Sequence, residues 1–439
     1  MDVLILWVYS ALLFCLQPLG QIYLLWRARK QPEYARHWGE RFAFYFKKRI
    51  APASRRVWVH AVSLGETRAA LPLIEALYTA QPDVHVILTH TTPTGRAAGQ
   101  SLFAAQLADG RMTQVYVPYD LYTAVARFFR TFAPTDVWVM ETEVWPNMVA
   151  AANRRGVRIS LVNGRLSDKS LKQTLKLSRL MGAAYREFYR ICAQTEADAA
   201  RYVQAGAAAA QLVVTGNLKF DMKAPVDQVD QGLLLKQLLG GRSVVVLSST
   251  REGEEALWLA SLPLSNPAFP SDLQWWVVPR HPQRFDDVER LLTDAGFLGE
   301  RLLRKSELDA LPEAARQARM QAAQVVLGDT MGHMFEYYAL ADVVMMGGAW
   351  LPFGGQNFLE PLSIGKPTVI GAHTYNFAQA AADAQAAGAL VQCEDMQQGL
   401  EAAVNLLAHE ALYSQQQARA IDFCAMHQGA VAKTLRCLL

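Results

Sequence analysis

Residues 57–67 read VWVHAVSLGET. Three bulky apolar residues, Val57, Trp58 and Val59, suit a strand buried on both faces, and Ser63 and Gly65 mark the turn that ends it. A helical pattern follows over 67–80. The same strand-then-helix step recurs along the chain. Strands are expected at 57–60, 84–89 (VHVILT), 113–117, 137–140 (VWVM), 158–162 and 191–194. Helical patterns fall at 67–80, 95–106, 121–131, 145–155, 170–185 and 196–204. The rhythm breaks at 221–242, where Pro225, charge and Gly240-Gly241 read as a linker. It restarts at 243–248 (SVVVLS) and continues through 274–279 (QWWVVP), 324–327, 342–347 (DVVMMG), 367–370 and 388–391. Such alternation specifies parallel sheets covered by helices, hence an α/β chain with two Rossmann-like, doubly wound domains. The expected boundaries are 57–225 for the first domain, 226–242 for the linker and 243–420 for the second domain. A C-terminal helix over 421–439 can return to the first domain.

Composition narrows the classes. The 439 residues are 51% hydrophobic and 19% charged, which excludes a mainly disordered chain. A mean hydropathy of +0.05 is too low for a polytopic membrane protein. With 43 basic and 40 acidic residues the net charge is +3, so nucleic acid is not the expected partner. The five cysteines, Cys15, Cys192, Cys393, Cys424 and Cys437, form no CxxC pair and no metal-ligand spacing. Their odd number argues against a disulfide scaffold and fits a reducing compartment.

Hydrophobicity is concentrated at one end. Val3 to Trp26 contains no charge, and about 20 apolar residues span a bilayer. A cleaved signal is disfavoured, since Asp2 is the only early charge and no small-residue cleavage pattern follows. Residues 1–26 are read as an uncleaved membrane anchor. A buried core helix and a shallow monotopic insertion stay open, because Gln17, Pro18 and Gln21 interrupt the run. Residues 27–56 carry ten basic residues against Glu33 and Glu40. By the positive-inside rule the rest of the chain is cytoplasmic, and the basic segment lies against the inner leaflet.

Ligands of doubly wound folds bind beyond the carboxyl ends of the strands, so the motifs there matter most. Ser63 and Glu66 have capping-box spacing; equally, Glu66 can be a carboxylate at the mouth of the sheet that takes a proton from a hydroxyl. A helix N-terminus is expected to lower its pKa, which desolvation would have to offset. Thr91-Thr-Pro-Thr94-Gly95-Arg96 suits an anion at a helix start, or plain N-capping by Thr94. Glu141 and Glu143 follow VWVM, and Pro146 opens a helix. Lys219 can present a cation or pair with Asp221.

In the second half, Ser248 to Glu255 form a hydroxyl-bearing turn into an acidic helix start. Neither GxGxxG nor a P-loop is present. Arg280 can meet a nucleotide phosphate or base. The glycine pairs Gly347-Gly348 and Gly354-Gly355 let backbone approach a ligand. Asn357 can cap the next helix, and Glu360 can accept both ribose hydroxyls. The Asn-x-x-Glu spacing suggests the nucleotide end of a two-domain glycosyltransferase.

Together, WGERF (38–42), HAVSLGE (60–66), TTPTGR (91–96), PYD (118–120), ETEVWPN (141–147), NGRLS (163–167), TGNLKFD (215–221), STREGEE (249–255), PRHPQRF (279–285), GDTMG (328–332) and GGQNFLEP (354–361) resemble the 3-deoxy-D-manno-octulosonic acid (Kdo) transferases of lipopolysaccharide assembly. The resemblance runs through nearly the whole chain. It implies GT-B architecture, with two domains facing a cleft. It implies inverting transfer of Kdo from CMP-Kdo to a lipid A precursor, lipid IVA, at the inner face of the cytoplasmic membrane. No cofactor and no essential metal are implied. Residue by residue, Glu66 matches the general base, Glu141 and Lys219 the polar site residues, and Arg96 an acceptor contact. Arg280, Gly348, Asn357 and Glu360 match the CMP site. The family commonly has His, Glu and Pro where this chain has Gln356, His333 and Ala372, which bears on fine recognition of the donor. Two alternatives remain beside it: a GT-B relative using a UDP-sugar or modified Kdo, and an inactive membrane-tethered scaffold.

Overall fold

The computed structural model describes residues 3–29, 31–45, 53–221, 224–262 and 272–439. Lys30, Phe46, Lys47, Lys48 and Arg49 of the basic segment lie outside the described residues. The chain forms two compact units, one of Met1–Met222 with His427–Leu439, the other of Lys223–Met426.

The first unit is built on seven parallel strands: β1 Arg56–His60, β2 His85–His90, β3 Met112–Tyr116, β4 Asp136–Met140, β5 Arg158–Gly164, β6 Arg190–Ala193 and β7 Leu212–Val214. Their spatial order is β3-β2-β1-β4-β5-β6-β7. In β1 the two-residue alternation serves both faces. Val57 and Val59 enter the cluster beneath helix Leu64–Ala80, and Trp58 enters the opposite one. There Trp58 stacks on Phe128 at 3.9 Å and donates its indole N–H to the Thr89 hydroxyl at 2.8 Å. Each such buried side chain contributes about 1.5–3 kcal/mol.

The second unit has seven more parallel strands: β8 Val244–Thr250, β9 Gln274–Pro279, β10 Leu302–Arg304, β11 Val325–Leu327, β12 Val343–Met346, β13 Thr368–Ile370 and β14 Val391–Gln392. Their order is β10-β11-β9-β8-β12-β13-β14. In each sheet the chain order reverses beside the first strand, between β1 and β4 and between β8 and β12, and loops leaving such pairs diverge to open a crevice.

The structure departs from the sequence reading in several places, among them the expected helices over 95–106 and 421–439, which are split at Phe103 and after His427. The short strands β7 and β10 carry only LVV and LLR, too little pattern to show. The stretch read as a linker holds helix Val226–Leu238, which belongs to the second unit. Pro225 stands at its N-cap, and Gly232 lies so close to Glu336 that a side chain would collide there. The expected helix over 170–185 is two, Asp168–Lys176 and Ser178–Arg186, broken at Leu177.

Helix Val3–Ala28 is long and apolar enough to cross a bilayer. One flank is covered by the first unit: Leu6 and Leu24 are buried, and Tyr9, Ser10, Leu13, Gln17 and Gln21 are partly buried. These positions recur every three or four residues, so they form one stripe. Both glutamines that interrupt the apolar run therefore sit on the covered side. The opposite flank, with Leu4, Trp7, Val8, Phe14, Leu19 and Ile22, is exposed.

The docking is polar at its centre. The Tyr9 hydroxyl donates to Asp120 Oδ2 at 3.1 Å, and Asn147 Nδ2 donates to the Ser10 hydroxyl at 2.9 Å. Asp120 also accepts the amides of Asn147 at 2.9 Å and Met148 at 2.8 Å. It thus caps helix Pro146–Asn153, whose own N-cap position holds Trp145 with no capping side chain. PYD and ETEVWPN are joined by this carboxylate. Asp120→Ala should leave two buried amides and a phenol unpartnered. We expect a loss of about 2–4 kcal/mol from the first unit, measured by urea unfolding of the intact chain.

Candidate functional site

The site of the first unit grows from the ends of β1 and β4. β1 ends at His60, fully buried, its Nδ1 2.9 Å from the Thr89 hydroxyl and its ring edge-on to Trp145 at 5.2 Å. Burial, with His90 nearby, pushes its pKa down to about 3, so the imidazole is neutral. The chain then turns through Val62 and Ser63 into helix Leu64–Ala80. The Ser63 hydroxyl caps the Glu66 amide at 3.4 Å, and the Val62 N–H donates to Glu66 Oε2 at 2.8 Å. Glu66 therefore closes a capping arrangement one residue wider than the usual box.

Its pKa contradicts the expectation of lowering by the helix N-terminus. Burial and the charge of Glu141 push it up to about 8; the Val62 amide opposes, Glu143 adds to the rise and Lys219 partly offsets it. The desolvated setting and two nearby carboxylates outweigh one hydrogen bond and the first helical turn.

Glu141 leaves β4 in the left-handed conformation, φ 54°, unusual for a residue with a side chain. Its N–H donates to Val162 O at 2.8 Å, and its carbonyl accepts from the Arg165 amide and the Tyr202 hydroxyl, both at 3.4 Å. These bonds hold the strained residue, and its carboxylate pairs with Lys219 Nζ at 2.9 Å. Lys219 is placed by the turn Leu218–Asp221, where Asn163 Oδ1 accepts the Leu218 N–H at 3.0 Å. The structure pairs Lys219 with Glu141 and not with Asp221, the partner weighed from the sequence. Asp221 instead accepts the amides of Gly429 and Val431 at 2.7 and 2.6 Å. Glu143 turns to the Trp145 indole N–H, 2.7 Å away, and burial raises its pKa.

Arg96 is not an open cation. Its guanidinium pairs with Glu40 at 2.5 Å and lies 4.8 Å from the Tyr116 ring centroid, which also has Arg41 at 4.2 Å. Glu40 also accepts the Tyr116 N–H at 2.8 Å. WGERF and TTPTGR are thus locked together. The helix start is capped by Thr92, not Thr94, through the Gly95 amide at 3.1 Å.

In the second unit the crevice between β8 and β12 is strapped by a residue the sequence reading left out. Glu254, fully buried, accepts the amides of Gly348 at 2.7 Å, Arg251 at 2.8 Å, Trp350 at 3.0 Å and Leu351 at 3.4 Å. Its signals in the sequence were its place in an acidic helix start and in STREGEE (249–255). Gly348, at φ 72°, therefore has its amide committed to Glu254 and not open to a phosphate. Its carbonyl accepts the Gly355 N–H at 2.7 Å, which joins the two glycine pairs. Asn357 is not a helix cap: Phe358 holds that position, and Asn357 Nδ2 donates to Glu360 Oε1 at 3.1 Å. The Asn357 carbonyl oxygen is buried without a protein partner, and Glu360 is buried beside it.

Glu255, on the helix after β8, is fully buried and takes both guanidinium nitrogens of Arg284, past β9, at 2.9 and 2.7 Å. The amide of Arg280 donates to Thr250 O at 3.0 Å. Burial and the charges of Arg251, Arg280 and Arg284 lower the pKa of His281, with Glu252 opposing. His333 pairs with Glu336 at 2.9 Å. Among the described residues no cluster of three His, Cys, Asp or Glu side chains is arranged to hold a metal ion.

Two tests follow from this geometry. Glu66 has a folded pKa above its ordinary value of 4.5, so the stability it contributes is full below about 4.5 and lost as pH rises through about 8. Thermal melts from pH 5 to pH 9 should show wild type losing on the order of 3 kcal/mol relative to Glu66→Gln. Glu254→Ala strands four amides. It should cost the second unit about 3 kcal/mol or more in denaturant unfolding, with Glu254→Gln milder.

The comparisons with known proteins agree with this layout. A family model described as 3-deoxy-D-manno-octulosonic-acid transferase (kdotransferase) matches residues 36–222. The 3-deoxy-D-manno-octulosonic acid transferase of Bordetella pertussis is 41% identical over 435 residues, 98% of each chain. That of Haemophilus influenzae is 30% identical over 370 residues, 84% of this chain and 82% of the other. Among solved structures, a glycosyltransferase from Rickettsia africae superposes with TM-score 0.56 at 11% identity, covering 88% of this chain and 97% of that one; this likeness concerns the fold alone. With two seven-stranded parallel sheets, GT-B-like neighbours and a relative 41% identical along almost its whole length, the chain belongs to the 3-deoxy-D-manno-octulosonic acid transferase family of glycosyltransferases.

Proposed function

We propose that the protein transfers Kdo from CMP-Kdo to a lipid A precursor, lipid IVA, with inversion at the anomeric carbon and Glu66 as general base. The observation that carries the reading is the carboxylate group at the β1–β4 crevice, where burial and neighbouring charge raise the Glu66 pKa to about 8. A base of that pKa is far stronger than an ordinary carboxylate and still partly ionised at neutral pH. In the step, an acceptor hydroxyl oxygen attacks the anomeric carbon. Glu66 takes the hydroxyl proton, and the bond to the phosphate oxygen breaks to release CMP.

Lys219, held by Glu141 at 2.9 Å, supports a role in offsetting the sugar carboxylate. Arg280, with Arg251 and His281 close by, supports stabilisation of the departing phosphate. Glu360, oriented by Asn357, accepts the ribose hydroxyls. Gly348 then contributes room and loop shape, its amide being bonded to Glu254. Arg96, compensated by Glu40, is left out of the acceptor site.

The location we propose is the cytoplasmic face of a bacterial inner membrane. The exposed apolar flank of helix Val3–Ala28 and the basic residues that follow support it. In assays with CMP-Kdo and lipid IVA, CMP release should require both substrates, and mass spectrometry should find a Kdo-bearing lipid. kcat/KM should rise with pH and level off above about 8, since Glu66 must be ionised. Glu66→Gln should lose about 10²–10⁴-fold in rate. A folded Glu66→Gln enzyme working at the wild-type rate would sink the base assignment.

A further inference from the structure

Helix Ala430–Leu438 belongs to the first unit, although the chain traverses the whole second unit before reaching it. Both ends are tied down. Asp221 accepts the amides of Gly429 and Val431 at the start. At the other end Arg55 Nη2 donates to the Leu438 carbonyl at 3.2 Å. Ala430, Thr434 and Leu438 are buried. The helix packs on helix Leu64–Ala80, which opens with Glu66, and on the turn that bears Lys219. It also packs on β6.

At that last contact two cysteines meet. Cys192 on β6 is fully buried, and Cys437 packs against the same hydrophobic cluster from the helix. Their thiols lie close enough to perturb one another's ionisation. Cys437 is partly exposed, with the positive charges of Arg190 and Arg436 around it. The neighbouring Cys192 thiol and these two arginines push its pKa down, which favours the thiolate that attacks disulfides. The remaining cysteines lie elsewhere, Cys15 on the N-terminal helix and Cys393 and Cys424 in the second unit. Nothing in the transfer reaction uses this pair.

We propose that Cys192 and Cys437 are a redox-active dithiol that a low-molecular-weight disulfide converts into a covalent staple between β6 and the C-terminal helix. The Cys437 thiolate attacks one sulfur of the small disulfide, forms a mixed disulfide and releases one small thiolate. The Cys192 thiol then gives up its proton and attacks the Cys437 sulfur, displacing the second small thiolate. Two protein thiols are oxidised to one disulfide, and the small disulfide is reduced to two thiols. An accessible nucleophile beside a buried resolving thiol suits this order, since only the first attack needs access from solvent. The bond would enclose the second unit in one covalent loop, a long closure of the kind that most restricts an unfolded chain.

The test counts thiols and needs no activity assay, so it stands apart from the proposed transfer reaction. Purified full-length protein is equilibrated with mixtures of reduced and oxidised glutathione, blocked with an alkylating reagent and mapped by non-reducing mass spectrometry. We expect two of the five thiols to be lost together, with a Cys192–Cys437 linked peptide. Thermal unfolding of the first unit should rise by about 5 °C and revert with dithiothreitol. Cys437→Ser, at a partly exposed position, should abolish both effects. Cys192→Ser should leave a stable glutathione adduct on Cys437. Retention of all five thiols under oxidised glutathione, or a linked peptide between other cysteines, would overturn the proposal.

Discussion

The parallel pairing of β1 with β4 is the constraint on which the candidate site rests. Residues 57–60 and 136–139 run in register, so the two strands end side by side. The chain leaves β1 toward one half of the sheet and β4 toward the other. Glu66 follows the end of β1 and Glu141 the end of β4. Both strands are buried on both faces, which fixes their ends to within the tolerance of a packed core. The same arrangement recurs at β8 and β12, where Glu254 bridges the two loops.

Buried carboxylates recur as the joints of this molecule, and their surroundings separate structural from chemical use. Glu254 receives four backbone amides, Asp120 two amides and a phenol, and Glu40 an amide and Arg96. Each holds two distant segments together. Glu66 receives a single backbone amide and is crowded by Glu141 and Glu143. Its ionised form is the poorly supported one, which is what a proton acceptor needs. Lys219 partly offsets the rise at Glu66 and pairs with Glu141, which leaves β4 in the left-handed conformation.

Much of the fold was legible because each central strand is a solid apolar run closed by a turn. VWVH, VHVILT, VWVM and SVVVLS all fall within strands or one residue of their ends. The edge strands β7 and β10 were not legible, since three residues pairing on one side leave no periodic signal. Helix Val226–Leu238 hid behind Pro225, its charges and the Gly240-Gly241 pair, although Pro225 stands at the helix N-cap and both glycines lie beyond its end. Gln17 and Gln21 weakened the reading of the N-terminal helix because a linear scan cannot tell which flank is covered.

The sequence by itself determined the α/β class, the two alternating halves, the apolar N-terminal helix and the positions at which chemistry was to be sought. All of these follow from local patterns of period two and 3.6 and from residues fixed at strand ends. Only the tertiary structure decided what those residues do. It spent Arg96 on Glu40 and the Gly348 amide on Glu254, and gave Asp221 to the returning helix. It also raised the Glu66 pKa where a helix N-terminus alone would have lowered it. Charge, burial and hydrogen-bond partners are set by neighbours distant in the chain, and those neighbours exist only once the sheets have formed.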